Sequence, residues 1–159
     1  MMTKSDAITA PRLWIVLARS HRSLSLLTEQ SIARAGLCLT DFAALEALLH
    51  KGPLTISEIQ AKVLLASGSM TAAVDRLEKR GLVVRKSIPE DRRAKLLELT
   101  REGKRIATSC FEQHAKDIEE LMSALTDGEK RQLYQSLKKL GLRAADKLEI
   151  QKSKTRQKQ

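Results

Sequence analysis

Hydrophobic positions follow a helical spacing near both ends of the chain and a short, extended pattern in between. In the first stretch, apolar residues recur at helical intervals at Leu13, Leu17, Leu24 and Leu27. Near the C terminus, a second stripe with spacings of three and four is formed by Leu133, Leu137, Leu140, Ala144 and Leu148. The segments Leu82–Arg85 and Lys95–Leu99 are short and suited to strands, with a turn at Pro89–Asp91. The pattern predicts a mainly α chain with a two-stranded β-wing.

Capping residues and glycines predict where six helices begin and end. The predicted ranges run from Thr9 to about Gly36, from the N-cap Thr40 to Gly52, from the capping box Thr55-Ile56-Ser57-Glu58 to about Leu64, from the N-cap Ser67 to Gly81, from Thr100 to about Leu125, and from Thr126 to about Ile150. The tail from Gln151 to Gln159 has four basic residues and no large apolar one, so we expect it to be disordered.

The balance of charges indicates the kind of partner. The chain has 29 Lys and Arg against 19 Asp and Glu, a formal charge of +10, which favours nucleic acid. Aromatic residues make up only 3 % of the chain, too few to stack the bases of a single strand, so duplex DNA fits better. The apolar run Leu13–Ala18 is too short to cross a bilayer, and two cysteines without a secretory signal favour the reducing cytoplasm.

The two short helices predicted from Thr55 to about Leu64 and from Ser67 to Gly81 are joined by a tight turn and form a helix-turn-helix pattern. The second of them is amphipathic and fits the major groove of B-DNA. Its outward positions are Ser67, Ser69, Thr71, Ala72 and Arg76. The hydroxyl groups are able to bond to phosphates or bases, and Arg76 is long enough to reach a phosphate or a guanine. The simpler alternative is that Ser67 and Ser69 only cap the helix.

The tip of the predicted hairpin is basic. It reads Glu90-Asp91-Arg92-Arg93 and is followed by Lys95. The negative potential of a narrow minor groove attracts an inserted Arg, and an acidic residue within the tip is suited to bracing that Arg by a charge-assisted bond. A solvated charge cluster is the simpler alternative. The position of the tip directly after a helix-turn-helix favours contact with DNA.

Three motifs in this region point to one family. The segments Leu77-Glu78-Lys79-Arg80-Gly81-Leu82-Val83, Asp91-Arg92-Arg93-Ala94 and Leu99-Thr100-Arg101-Glu102-Gly103 closely resemble the MarR family of bacterial regulators. The resemblance covers most of the chain, from about Leu13 to Leu148. The segments 42–53 and 65–71 look like the branch of the family that includes regulators of quinone and hydroquinone detoxification.

The resemblance implies a homodimer and a division of the chain. The implied parts are an N-terminal dimerisation helix at residues 1–36, a winged helix-turn-helix DNA-binding lobe at 37–103, C-terminal dimerisation helices at 104–150, and a basic tail at 151–159. It further implies that Asp91 orients the wing, that Arg93 enters the minor groove, and that Ser69, Thr71 and Arg76 lie against the major groove. Ala72 departs from the pattern, since many members carry Arg or another polar residue there.

We therefore expect a repressor whose dimer covers a near-palindromic operator, with half-sites about 34 Å apart. A small aromatic or phenolic effector would release it. Cys38 suggests a second route, because a thiolate near a helix N-terminus is able to react with electrophiles or oxidants, although a small buried side chain is the simpler interpretation. Peroxide-sensing members resemble one another in a reactive Cys in the first helix, where this chain has none. Reversible binding is therefore favoured.

Other classes of function have less support in the sequence. It contains no nucleophile motif, paired acid and base, phosphate-binding Gly-rich loop or HExxH helix, so we do not expect an enzyme. Glu112 and His114 fall on different sides of a helix without a further ligand pair, so no metal or other cofactor is predicted. A winged helix used only for protein interaction would not need Arg76, Arg92 and Arg93 together.

Overall fold

The computed structural model describes residues 8–63, 69–88 and 91–156. These residues contain six helices and three strands. The helices are α1 (Ala10–Arg34), α2 (Leu39–Lys51), α3 (Ile56–Lys62), α4 (Met70–Lys79), α5 (Arg101–Met122) and α6 (Asp127–Arg156). The strands are β1 (Leu54–Thr55), β2 (Val83–Ile88) and β3 (Asp91–Leu99). The mainly helical chain with a two-stranded wing, formed by β2 and β3, is confirmed.

Threonine side chains cap four of these helices, as the sequence predicts. The pairs of a Thr hydroxyl and the backbone N–H that it accepts from are Thr9 with Arg12, Thr55 with Glu58, Thr100 with Gly103, and Thr126 with Glu129. In two of them, Thr55 with Glu58 and Thr126 with Glu129, the glutamate accepts the threonine's own backbone N–H in return. Such reciprocal bonds satisfy two backbone donors that a helix start leaves without partners.

Two predicted helix starts need correction or fall outside the described residues. The N-cap of α2 is Cys38 and not Thr40, because Cys38 is extended and its carbonyl already accepts the N–H of Phe42 at 2.9 Å. The N-cap of α4 is Ser69, whose hydroxyl accepts the N–H of Ala72 at 3.3 Å. Ser67, the predicted cap, and Leu64, the predicted end of α3, lie outside the described residues.

The C-terminal tail also differs from the prediction. Helix α6 continues to Arg156, six residues into the segment for which the sequence predicted disorder. Lys152 pairs with Glu149 at 2.9 Å, and the hydroxyl of Ser153 donates to the carbonyl of Ile150 at 2.9 Å. Extending an existing helix adds one backbone bond for each residue fixed, and Gln and Lys are good helix formers, so no apolar side chain is needed.

The sheet contains a strand that the sequence pattern missed. The strand order is β1-β3-β2, with both pairs antiparallel. Strand β1 consists of two residues, which pair with Leu97 and Leu96 of β3. Two residues are too few to show a periodic pattern, and their pairing depends on a partner more than 40 residues away. The wing is therefore anchored to the start of α3 through β1.

The core lies where α2, α3, α4 and β3 meet. Leu45, Ile59, Leu77 and Leu97 are fully buried, one from each of these elements. Gly103 of α5 approaches the backbone of Leu82 so closely that an added Cβ would lie 1.8 Å from its carbonyl oxygen. Burial of these apolar side chains is the main stabilising contribution to the fold.

The described chain divides into two compact units, with the boundary between Ile118 and Glu119 inside α5. In the first unit, the N-terminal half of α1 leaves Leu13, Trp14 and Val16 more than half exposed. In the second unit, α6 exposes the predicted stripe by 41–56 % at Leu133, Leu137, Leu140 and Leu148. None of the described helices is both long and apolar enough to cross a membrane.

Candidate DNA-binding site

Helices α3 and α4 are the two helices of the predicted helix-turn-helix, whose connecting residues 64–68 lie outside the described ones. Helix α4 has two distinct faces. Its apolar face, Met70, Ala73, Val74 and Leu77, is buried in the core. Its opposite face is exposed and contains Ser69, Thr71, Ala72 and Arg76, all predicted as outward positions. A helix held by one apolar face presents the other to solvent, which is what entry into a major groove requires.

The hydroxyl of Ser69 has a structural task. It accepts the backbone N–H of Ala72 and so caps α4, as the simpler interpretation of this residue predicted. Thr71 is exposed in the first turn of α4, where backbone N–H groups favour a phosphate. The methyl group of Ala72 is also exposed and has no hydrogen-bonding group. The start of α4 is therefore suited to a close approach to DNA.

The side chain of Arg76 is half exposed, yet it forms hydrogen bonds within the protein. Its Nη2 donates to Oδ1 of Asp41 at 2.6 Å, and its Nε donates to Oδ2 at 3.4 Å. Nη2 also lies 3.4 Å from Sγ of Cys38. The hydrogen bond and charge of Asp41 raise the pKa of Arg76 above its ordinary value. The sequence predicted that Arg76 reaches DNA but gave no sign of Asp41, because the two residues lie 35 positions apart.

Two further arginines attach α4 to its neighbours. Arg80 donates from Nη1 to the carbonyl of Gly36 at 2.8 Å, and Arg85 of β2 forms ion pairs with Asp75 and Glu78. Helix α4 is thus tied to the α1–α2 connection on one side and to the wing on the other. Sequence reasoning missed these contacts, since their only signal is a basic or acidic residue on an exposed helix position.

The wing is a hairpin, as predicted, but its strands extend beyond the predicted Leu82–Arg85 and Lys95–Leu99. Asp91, which the sequence assigned to the turn, belongs to β3, because strand pairing continues up to Ile88, and the other two predicted turn residues lie outside the described ones. Val83 pairs with Leu99 and Ser87 with Lys95, and the register shifts between Ser87 and Ile88. Lys95 Nζ donates to the hydroxyl of Ser87 at 2.8 Å, so this lysine also braces the two strands. The backbone of Asp91, Arg92 and Arg93 belongs to β3, but the side chains of these three residues lie outside what the structure describes. Their contacts with DNA stay a prediction.

The two cysteines have different surroundings. Cys38 is exposed at the start of α2, whereas Cys110 lies in the core, where burial raises the pKa of its thiol. The exposure of Cys38 does not match the buried side chain of the simpler interpretation. Within the described ranges, no three His, Cys, Asp or Glu residues are grouped closely enough to hold a metal ion.

A cavity of about 420 Å³ lies between α1, α2 and α5 in the first compact unit. Its lining residues are His21, Ser25, Thr28, Glu29, Leu39, Phe42, Ala43, Glu46 and His114. The rings of Phe42 and His114 meet edge to face with centroids 5.1 Å apart. Nδ1 of His114 is buried and has no hydrogen-bond partner among the described residues. A buried polar atom of this kind is usually satisfied, so His114 stands out among the residues that line the cavity.

The fold and the exposed face of α4 define a winged helix-turn-helix protein. Residues 37–95 match the MarR family. The HTH-type transcriptional regulator MhqR of Bacillus subtilis is 41 % identical over 133 residues, which cover 84 % of this chain and 92 % of that protein. The chain therefore belongs to the MarR family of transcriptional regulators.

Solved structures share the fold. A mutant of E. coli MarR in complex with operator DNA is 26 % identical and has a TM-score of 0.70, with 80 % of this chain and 92 % of that chain covered. BpsR of Bordetella bronchiseptica, whose DNA binding is regulated by 6-hydroxynicotinic acid, is 20 % identical with a TM-score of 0.71. The match covers 82 % of this chain and 98 % of the BpsR chain.

Proposed function

We propose that the protein is a sequence-specific repressor that binds duplex DNA as a homodimer. The observation that carries this proposal is the exposed polar face of α4 opposite four buried apolar residues. In this arrangement α4 enters the major groove, and Arg92 and Arg93 of the wing contact the minor groove. The complex of E. coli MarR with operator DNA supports the same use of the fold here.

The dimer follows from the exposed apolar side chains of α1 and α6. Trp14, Leu137 and Leu140 are 66 %, 41 % and 51 % exposed, and rows of this kind mark protein interfaces. A two-fold axis would place two α4 helices on one face of the duplex, about 34 Å apart. A regulator of this kind acts on the chromosome, so we expect the protein in the cytoplasm. It has no need of a catalytic site, so we do not expect an enzyme.

The test is to pass fragmented DNA from the source genome over the immobilised protein and sequence what is retained. A near-palindromic motif enriched upstream of a gene is expected. An electrophoretic shift on that fragment, compared with a scrambled fragment of equal length, then separates operator binding from general attraction to polyanions. Retention of no preferred sequence, or no DNA at all, would contradict the proposal and favour a winged helix used for protein interaction.

The cavity between α1, α2 and α5 supports release by a small aromatic effector. His114 and Phe42 place one polar and one aromatic side chain in the wall of the cavity. Glu29 and Glu46 line the cavity, and its described lining contains no Lys or Arg. Since like charges disfavour a bound carboxylate, a neutral phenol or hydroquinone fits better than an aromatic acid.

Two matched probes test this effector class. 4-Methylphenol is expected to release the protein from its operator, and 4-hydroxybenzoate, in which a carboxylate replaces the methyl group, is expected to be weaker. The variant His114→Ala should lose the response while still binding DNA. Equal release by both probes would contradict the charge argument.

A second candidate mechanism is covalent sensing at the exposed thiol of Cys38. It requires the sulfur, whereas reversible binding does not. Wild type and Cys38→Ser should therefore be compared for release by a quinone and by a non-electrophilic phenol. If only the quinone acts, and only on the wild type, Cys38 is the sensor and the reversible mechanism is wrong.

A further inference from the structure

Arg76 stands on the exposed face of α4, but a buried carboxylate of another helix holds it. Asp41 is 4 % exposed, whereas the side chain of Arg76 is half exposed. The two hydrogen bonds, 2.6 Å from Nη2 and 3.4 Å from Nε, use both carboxylate oxygens. Removing the partner of a buried carboxylate is far more costly than breaking a surface pair. Asp41 therefore fixes the conformation of Arg76 through two hydrogen bonds.

The contact with Asp41 occupies one edge of the Arg76 guanidinium and leaves its third nitrogen, Nη1, available. Nε and Nη2 face Asp41, and Nη2 also donates to Sγ of Cys38. Nη1 has no hydrogen-bond partner in the described part of the chain. Because the guanidinium is a rigid plane, fixing one edge sets the direction of the other.

A second arginine one turn later restrains the same helix. Arg80 donates to the carbonyl of Gly36 in the connection between α1 and α2, whereas Asp41 lies in the first turn of α2. The two contacts therefore tie α4 to this connection and to the start of α2. Rotation of α4 about its axis would break them together, so the direction of Nη1 is set by the fold and not by the side chain alone.

We propose that Asp41 is a positioning residue for DNA binding, which holds one edge of Arg76 so that Nη1 is presented to an operator phosphate. The inference rests on the proposed function, since it needs DNA as the partner. An arginine that reads guanine uses two adjacent nitrogens against O6 and N7, and Arg76 has no such pair left. A single outward nitrogen suits a phosphate oxygen, and its fixed position reduces the rotamer freedom lost on binding. Arg76 therefore contributes affinity and not sequence preference.

The test measures the dissociation constant for the operator and for a scrambled fragment over a series of salt concentrations. Asp41→Asn is expected to weaken operator binding by roughly five- to tenfold, and to have no further effect in an Arg76→Gln background. Arg76→Gln should weaken both fragments by the same factor and make the slope of log K against log salt shallower by about 0.9 per protomer.

The matched control is Glu102→Gln on α5. Glu102 and Arg105 form a pair with contacts of 2.6 Å and 2.9 Å, and the substitution removes one negative charge, as Asp41→Asn does. Its affinity for DNA should stay unchanged or rise slightly. Thermal unfolding shows whether each variant is folded. If Asp41→Asn does not fold, Arg76→Lys takes its place: it keeps the charge but cannot offer two fixed edges, so affinity should fall while the salt slope stays.

Three results would overturn the inference. Binding by Asp41→Asn at least as tight as wild type would show that Asp41 competes with DNA for Arg76. A loss that persists in the Arg76→Gln background would show a purely structural role. A larger loss on the operator than on the scrambled fragment for Arg76→Gln would show a base contact. If the wild type retains no DNA, the proposed function itself is wrong and this inference falls with it.

Discussion

The helix-turn-helix lobe buries its apolar residues, whereas α6 and the N-terminal half of α1 leave residues of the same types exposed. Leu45, Leu77 and Leu97 of the lobe are fully buried, whereas Leu137 and Leu140 of α6 are 41 % and 51 % exposed. The lobe satisfies its apolar face within one chain. A helix that keeps a stripe of leucines in water needs another surface to cover it. We therefore expect the lobe to fold as a unit, and α1 and α6 to be completed by a second chain.

The largest expected effect comes from the core of the lobe. Leu77→Ala removes a fully buried side chain between α4 and its neighbours, and such truncations typically cost about 2–5 kcal/mol of stability. Urea denaturation of the variant and the wild type measures this difference. A loss smaller than about 1 kcal/mol would mean that the site collapses around the smaller side chain, contrary to a tightly packed lobe.

Two glycines compare the regions directly. Gly103→Ala would place a methyl group 1.8 Å from the carbonyl oxygen of Leu82, whereas Gly141 of α6 has nothing within 4 Å of an added Cβ. We expect Gly103→Ala to destabilise by about 3 kcal/mol, because a backbone oxygen cannot easily move. Gly141→Ala should stabilise by roughly 0.5–1 kcal/mol through helix propensity. Equal effects in thermal unfolding would remove the contrast, and destabilisation by Gly141→Ala alone would indicate a close helix contact in the dimer.

The third prediction concerns assembly. Leu137→Asp places a charge in the exposed stripe of α6. The dissociation constant of the dimer should therefore rise by roughly tenfold or more relative to wild type. Gln135→Asp introduces the same charge off the stripe and serves as the control. Sedimentation equilibrium measures both. A monomeric wild type at micromolar concentration, or equal behaviour of the two variants, would contradict the assignment of α6 to the interface.

The fourth prediction separates DNA binding from assembly. Arg93→Ala should weaken binding to many sequences and make the salt slope shallower by about 0.9 per protomer, while the dimer and the fold stay intact. The wild-type slope should be steeper than about −3, since several basic groups contact phosphates. Fluorescence anisotropy over a salt series measures both slopes. Unchanged binding by Arg93→Ala at moderate salt would refute the role of the wing.

The smallest effects are expected at the two capping boxes, one in each compact unit. Hydrogen bonds from the backbone N–H and hydroxyl of Thr55 lower the pKa of Glu58, and those of Thr126 lower the pKa of Glu129. A lowered pKa in the folded state stabilises above the ordinary value of 4.5, and this contribution is lost as the pH falls through the folded pKa.

Glu58→Gln and Glu129→Gln should therefore each cause a small loss of stability at pH 7 that shrinks below pH 4.5. Thermal unfolding from pH 7 to pH 3 measures the trend. A difference from wild type that grows on acidification would contradict the sign. A larger effect for Glu58 than for Glu129 would show that the lobe depends more on its caps than α6 does.

Local sequence determined most of the helices and their ends. A Thr with a Glu three residues later, as at Thr55 and Thr126, specifies a helix start because both partners lie within one turn. The exposed and buried faces of α4 also follow from spacing alone, and so did the hairpin after Gly81. The start of α2 at Cys38 and the continuation of α6 to Arg156 were missed, since a backbone carbonyl and helix propagation need no special side chain.

Tertiary structure alone decided the contacts between distant segments. The pairing of β1 with β3, the contact of Asp41 with Arg76 and the approach of Gly103 to Leu82 join residues that are 21 to 43 positions apart. No periodic pattern encodes such pairs, because each partner has an ordinary local environment. Packing of the lobe brings them together, and only then does an exposed arginine acquire a fixed direction or a glycine become irreplaceable. The sequence thus determined that α4 faces outward, and the packed structure decided how its side chains are held.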